Sequence, residues 1–271
     1  MDASIETVYD KGGGEVNEDE ILVGEDIYGV FDGATSIHNY RDKKGKTGAK
    51  IASEIACQTF SENEGKLSEI AKEVNKNLRK AMRSAGVNVE DNEETWATTA
   101  SLVRLSNRKA EFFQITDSFI LVIYKDGSFS LPGKPYNHDM ETLKRWKMLA
   151  DQGEKNIREK VYSTIRKTRR RANKDYGFLN GDPKSEKFFR SGEFNLENVK
   201  TIVLGSDGLM IPKEDPSEEE KWKELIGIYK EHGLEGVKNH VRKLEGSDPE
   251  CTEYIRTKTH DDIAGIAIEF D

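Results

Sequence analysis

The sequence predicts an α+β protein built on antiparallel strands, and three observations carry the prediction. Short apolar runs alternate with polar positions or stop on glycine and acidic turn residues, as strands do. Two consecutive stretches repeat apolar residues at three- and four-residue spacing, as amphipathic helices do. The strand candidates also follow one another through short turns, which makes neighbours antiparallel. Residues 3–9 alternate and predict an edge strand, ended by "KGGG" at residues 11–14. "ILVGED" and "IYGVFDG" predict the two arms of a hairpin. Residues 46–60 and 67–84 predict two helices. "TTASLVRL", "KAEFFQITD" and "SFILVIYKDGSFSL" predict strands in meander order, the last folded at Asp126-Gly127. Residues 139–171 return to a helical and very polar pattern, "KTIVLGSDGLM" predicts a short buried strand, residues 217–244 predict helices, and "IAGIAIEF" a closing strand. With no internal repeat, linker or composition shift, the expectation is one domain over residues 1–271.

Bulk properties narrow the function. In 271 residues, 50 acids stand against 42 bases, a formal charge of −8 that disfavours wholesale wrapping of nucleic acid. Cys57 and Cys251 are too few for a disulfide framework and lack metal-ligand spacing, which fits a reducing compartment. The first twenty residues hold no apolar signal core, and no stretch approaches the roughly 18 apolar residues of a membrane span. The expectation is a soluble cytoplasmic protein, monomeric, with neither nucleic acid nor membrane as partner.

The chemistry lies where the strands end. Asp32 follows "YGVF", Asp117 follows "EFFQIT", Asp207 follows "TIVLGS", Asp261 precedes "IAGIAIEF", and Asp19 stands between the glycine loop and "ILV". Carboxylates recurring at strand edges next to glycine or serine suit hard divalent cations, which prefer oxygen ligands. Taken alone, each is better read as a turn former, as Asp126 in "YKDGS" is, and only the recurrence after successive apolar runs argues for ligands.

These residues resemble the metal-dependent protein serine/threonine phosphatases, the protein phosphatase 2C family, in an ordered series over nearly the whole chain. "NEDEILV" is similar to the family's first acidic motif and "GVFDGATS" to its Asp-Gly motif. "WATTASLVRL" resembles the Gly-Ser/Thr-Thr-Ala strand, "FFQITDSFILV" the Gly-Asp-Ser strand, "VLGSDGLM" the Ser-Asp-Gly motif and "HDDIAGIAIEF" the closing Asp-Asn motif. The resemblance implies a four-layer αββα sandwich, two antiparallel sheets flanked by helices, with a variable helical flap at about residues 133–175. It implies two Mn²⁺ or Mg²⁺ ions per chain and a weaker third. Asp32 would bridge the pair with the Gly33 carbonyl on one ion, Asp207 and Asp261 would complete it, Asp19 would act directly or through water, and Glu18 would stand behind them. Asp117, with Asp207, would hold the third ion. Asp261 is preferred to Asp262, which aligns with the family's Asn. Two ions about 4 Å apart acidify a bridging water and clamp the phosphoryl oxygens, so no serine or cysteine nucleophile is required.

The implied activity is hydrolysis of phosphoserine or phosphothreonine in a phosphorylated protein partner. The alternatives are a catalytically weak or inactive binding module of the same fold, or a phosphatase for a small phosphorylated metabolite. Three departures bear on the site. Gly14 stands about where many members carry a phosphate-gripping arginine, leaving Lys11 and Arg41 as nearby cations; Ala34 replaces a frequent histidine; and Thr116 replaces the glycine of Gly-Asp-Ser. Of the five histidines only His260, beside Asp261, is expected near the site. The run "IRKTRRRANK", residues 165–174, is either a solvated helix end or a substrate-facing patch, and "GGG" either a turn or a phosphate cradle. Cys57 is read as a small apolar residue on a buried helix face.

Overall fold

The computed structural model describes residues 3–35 and 37–270. Apart from a separate two-stranded sheet in which β4 (Gly33–Ala34) pairs with β5 (Ala97–Thr98), two five-stranded antiparallel sheets stack face to face. One runs β1 (Ala3–Asp10), β12 (Ile263–Phe270), β11 (Val199–Gly205), β8 (Phe119–Tyr124) and β9 (Phe129–Ser130); the other runs β10 (Arg190–Asn195), β7 (Lys109–Ile115), β6 (Ala100–Ser106), β3 (Ile27–Phe31) and β2 (Glu20–Val23). Between them Val30, Val103, Ile120, Val122, Ile202, Leu204, Ile266 and Ile268 form one fully buried cluster. That is why these strands read as continuous apolar runs rather than strict alternation.

Helices cover both outer faces. α1 (Gly48–Glu62) and α2 (Leu67–Ser84) lie on the β3 sheet, where Ala52, Ala56, Phe60, Leu67, Val74 and Leu78 meet Phe31, Leu102 and Phe113. Thr47 caps α1, its hydroxyl accepting from the Lys50 amide at 3.1 Å. α5 (Trp222–Ser247) covers the other sheet through Trp222, Leu225, Leu234 and Val237. It is broken at Gly233, whose φ of 66° suits glycine, and the Leu234 amide restarts the helix by donating to Glu6 Oε1 at 2.8 Å. The order is therefore helix, sheet, sheet, helix, the αββα sandwich the resemblance implies.

Two details depart from the sequence reading. β7 and β8 do not continue a meander, because the chain passes from one sheet to the other at residues 116–118. β10 was not foreseen; its "RSGEFN" is mostly exposed and carries no alternation, and it is a strand because it pairs with β7. α3 (Met140–Asp151) and α4 (Ile157–Arg170) form a pair with its own cluster of Trp146, Leu149, Ile157 and Val161, closed by Cys251 and Ile255. Among the described residues no helix is long and apolar enough to cross a membrane.

Candidate metal centre

Strand register gathers the five acids at one end of the sandwich. Glu20 pairs with Phe31, so Asp19 and Asp32 leave the β2–β3 hairpin together. Val30 pairs with Ser101 and Ala100 with Ile115, which brings the end of β7, and Asp117 after it, to the same edge. Phe119 pairs with Gly205 and Gly205 with Gly265, which adds Asp207 and Asp261 from the second sheet. Alternation of direction in an antiparallel sheet returns every second strand end to one rim.

Local contacts fix each position. The Asp32 carbonyl accepts from the Thr98 hydroxyl at 2.9 Å and the Thr99 amide at 2.8 Å. At Gly33 a Cβ would stand 2.6 Å from the Glu18 carbonyl oxygen and 2.7 Å from that of Ala49, so a side chain there would displace backbone. The Glu18 carboxylate accepts from the Thr35 and Thr47 hydroxyls at 2.8 and 2.7 Å. Asp262 accepts from the Gly12 amide at 2.8 Å and the Glu18 amide at 2.7 Å, tying both ends of the glycine loop. Gly13 donates to the His260 carbonyl at 3.0 Å, so two of the loop amides are already committed and the loop acts as a turn. Thr116 holds a φ of 68°, costly for a β-branched residue; its hydroxyl donates to the Gly177 carbonyl, and its own carbonyl accepts from the Tyr136 amide at 2.8 Å. A glycine would need no such clamp.

The electrostatics are those of crowded acids. Burial first, then the charges of Asp261, Asp262 and Asp207, push the Asp19 carboxyl well above the usual carboxylate range. Burial and the charges of Asp19, Asp207 and Asp117 do the same to Asp32. Asp207 is pushed up to about 8 by burial, Asp261 and Asp117. Two protein cations answer this charge. Lys258 Nζ lies 2.5 Å from Asp261 Oδ1, and His138 Nδ1 lies 2.8 Å from Asp117 Oδ2. Burial opposes a charged His138, but Asp139 and Asp117 outweigh it and lift the imidazole to about 9.

The donor set fits hard divalent cations. All the side-chain donors are oxygens, and Asp19 Oδ2 and Asp117 Oδ1 are buried without a hydrogen-bond partner. Among the described residues no group of three His, Cys, Asp or Glu side chains is arranged to hold a metal ion; Asp261 and Asp117 instead carry Lys258 and His138. Beside the acids opens a cavity of about 1060 Å³, which among the five only Asp261 lines, walled by the glycine loop, residues 38–41, the α3–α4 turn and residues 249–252 and 257–262.

Sequence reasoning missed several residues that tertiary structure brings in. His138, twenty-one residues after Asp117, meets the acids, stacked on Tyr176 with ring centres 4.9 Å apart, whereas His260 hydrogen-bonds Glu245 at 2.9 Å. Lys258 lies in an irregular loop where no periodicity marks it. The basic run is the end of α4, with Lys167 and Arg170 largely exposed as a solvated helix end would be, but most of its cations are also paired. Arg166 and Arg170 pair with buried Glu93 at 2.6 and 2.5 Å, Lys167 and Arg171 pair with Glu141 at 2.8 and 3.0 Å, and buried Arg169 donates to the Ala34 and Thr35 carbonyls at 3.1 and 2.7 Å. It fastens α4 to the body. Lys11 and Arg41 are also engaged, Lys11 with the Glu15 carbonyl at 3.5 Å and Arg41 with the Glu15 carboxylate at 2.8 Å. Burial pushes the Cys57 thiol up to about 11, in keeping with an unreactive packing residue.

Solved structures share this architecture. The catalytic domain of the serine/threonine phosphatase PstP, solved with two manganese ions, superposes with a TM-score of 0.60 at 14% identity, covering 98% of this chain and 97% of that one. PstP/Ppp of Mycobacterium tuberculosis gives 0.59 at 15% identity, covering 99% of each chain. The serine/threonine phosphatase Stp1 from Staphylococcus aureus gives 0.58 at 15% identity, covering 100% of this chain and 96% of that one. At such identities the likeness is one of fold. No protein of curated function matches the sequence. The profile of protein phosphatase 2C matches residues 11–245, and with that match the chain belongs to the protein phosphatase 2C family.

Proposed function

We propose that this chain hydrolyses phosphoserine and phosphothreonine in proteins with Mn²⁺ or Mg²⁺ as cofactor. The observation that carries the reading is the convergence of Asp19, Asp32, Asp117, Asp207 and Asp261 on one rim of the sandwich, where Asp261 also lines a cavity of about 1060 Å³. Asp32, Asp207 and Asp261 would hold two ions with Asp19 and the Gly33 carbonyl, and Asp117 would hold a weaker third. When bound, the ions supply charge neutralisation and an acidified water for in-line attack on phosphorus. The chain's own share is placement. Thr98 and Thr99 fix the backbone of Asp32, the Thr35 and Thr47 hydroxyls orient Glu18 behind the site, and Asp262 holds the glycine loop at the cavity wall.

The test is Mn²⁺-dependent hydrolysis of a phosphopeptide and an aryl phosphate by a matched pair of variants. Asp32→Asn removes a charge and an oxygen donor where the acids converge, and is expected to abolish turnover and weaken binding of both tight ions together. Asp126→Asn, in an exposed turn where its carboxylate accepts from the Ser128 amide at 2.9 Å, should change little. Chelator should abolish wild-type activity and thiol alkylation leave it intact. Equal losses in the two variants, or full activity in chelator, would refute the reading. A second reading, a phosphate-recognising module without turnover, is favoured by the ion pairs that Lys258 and His138 already make inside the acid cluster. Phosphate binding without hydrolysis of peptide, aryl or sugar phosphates in Mn²⁺ would establish it.

A further inference from the structure

We propose that Lys258 is the residue that grips the substrate's phosphoryl group, holding its ammonium at the junction of the acid cluster and the substrate cavity. The inference rests on the phosphatase reading above and names a recognition residue for it. Beside the ions, a phosphoryl dianion in the cavity is oriented by a cationic side-chain donor, whose charge-assisted hydrogen bonds meet the oxygens the ions leave free. Arg41 pairs with the exposed Glu15 carboxylate and donates to the Gly45 carbonyl at 2.8 Å, Arg158 donates to the Thr257 carbonyl at 2.6 Å, and neither lines the smaller cavity that Asp117 and Asp207 share. Lys155 stands on the exposed turn between α3 and α4. Lys258 differs from all three. Its side chain is 32% exposed, and it lines both the large cavity and a smaller one of about 180 Å³ that Asp117, Asp207 and Asp261 also line.

The loop carrying Lys258 is built to hold it. Asp248 accepts from the amides of Thr252, Glu253 and Tyr254 at 3.0, 3.0 and 2.8 Å and from Arg256 Nη1 at 3.0 Å. Arg256 donates in addition to the Tyr254 carbonyl at 2.7 Å and the Glu245 carbonyl at 2.9 Å, and the Ile255 amide donates to the Lys213 carbonyl at 2.9 Å. An aspartate–arginine hub this well satisfied fixes the backbone two residues before Lys258. An ammonium has three donors. One suffices for Asp261, leaving two for phosphoryl oxygens without breaking the ion pair.

The experiment measures binding of inorganic phosphate to the Mn²⁺-loaded protein by calorimetry, alongside Mn²⁺ stoichiometry and the kcat and KM for an aryl phosphate. Lys258→Gln is expected to keep the wild-type number of Mn²⁺ ions while weakening phosphate about 10-fold or more and raising KM in step. Lys258→Arg should restore binding to within a few-fold. Lys155→Gln is the rival, and a larger loss there than in Lys258→Gln would overturn the proposal. So would unchanged phosphate affinity in Lys258→Gln, loss of phosphate only together with Mn²⁺, or a wild-type protein that binds no phosphate. If wild type binds phosphate through Lys258 yet hydrolyses nothing, the phosphatase reading fails and the Lys258 assignment stands.

Discussion

Stripped of divalent ions, the protein should lose stability as the pH rises from 5.5 to 8. Asp207 holds its proton up to about pH 8 in the folded chain against an ordinary value of 3.8, because it is buried beside Asp261 and Asp117. Asp19 and Asp32 are shifted in the same direction. Between the two values the folded chain binds more protons than the unfolded one, so stability falls with rising pH. His138, lifted from 6.5 to about 9, adds the same sign at the upper end of the window, since its paired cation is lost as pH climbs through the folded value. The opposing groups are Asp248, Glu93 and Glu141, whose hydrogen-bonded or ion-paired carboxyls lie below their ordinary values of 3.8 to 4.5. Their contribution is complete by pH 5.5, which leaves the raised set to act alone above it. At about 1.4 kcal/mol per pH unit for one proton, Asp207 accounts for at most about 3 kcal/mol across the window. Denaturant unfolding of chelator-treated protein at pH 5.5, 6.5 and 8.0 measures the slope. Mn²⁺ at 100 times its dissociation constant should return about 2.7 kcal/mol, and flatten the profile by offsetting the ionised carboxylates. Stability that stays level or rises with pH in chelator would refute the argument that these acids repel one another.

Three further substitutions probe the frame around the site and its neighbours. Gly33→Ala should cost about 1–3 kcal/mol and weaken Mn²⁺ binding, because its Cβ meets backbone carbonyls of Glu18 and Ala49, whereas Gly227→Ala, in open space on α5, should stabilise by about 0.5–1 kcal/mol; thermal melts and Mn²⁺ titration compare them. Arg169→Met leaves the Ala34 and Thr35 carbonyls without their donor and should cost about 1–3 kcal/mol, with faster proteolytic cleavage in α3 and α4 as the readout of a loosened helix pair.

Elements whose signal is local were legible in the sequence. α2 spans the predicted Leu67–Ser84 because its apolar stripe of Leu67, Ile70, Val74, Leu78 and Met82 is written into consecutive turns. The β2–β3 hairpin follows from two apolar runs joined by a short connection. β10 was invisible because an exposed edge strand buries too little to leave a pattern, and the crossing from β7 to β8 was invisible because periodicity names a strand's faces and not its partner.

The candidate site divides in the same way. Sequence by itself determined that acids stand at strand ends beside small residues, and their order places the chain in its family; a strand's end and its turn residue are adjacent in the chain, so both are written in a few letters. Tertiary structure decided which acids meet. Asp32 and Asp126 are both followed by glycine, yet register carries Asp32 to the rim with Asp207 and Asp261 while Asp126 lies in an exposed turn. It also decided which cations answer them. Lys258 and His138 reach Asp261 and Asp117 only because two irregular loops, one held by Asp248 and Arg256 and the other by Thr116 and Tyr176, close over the rim. Charge pairing acts through space at a few ångströms, and no spacing along the chain encodes that proximity.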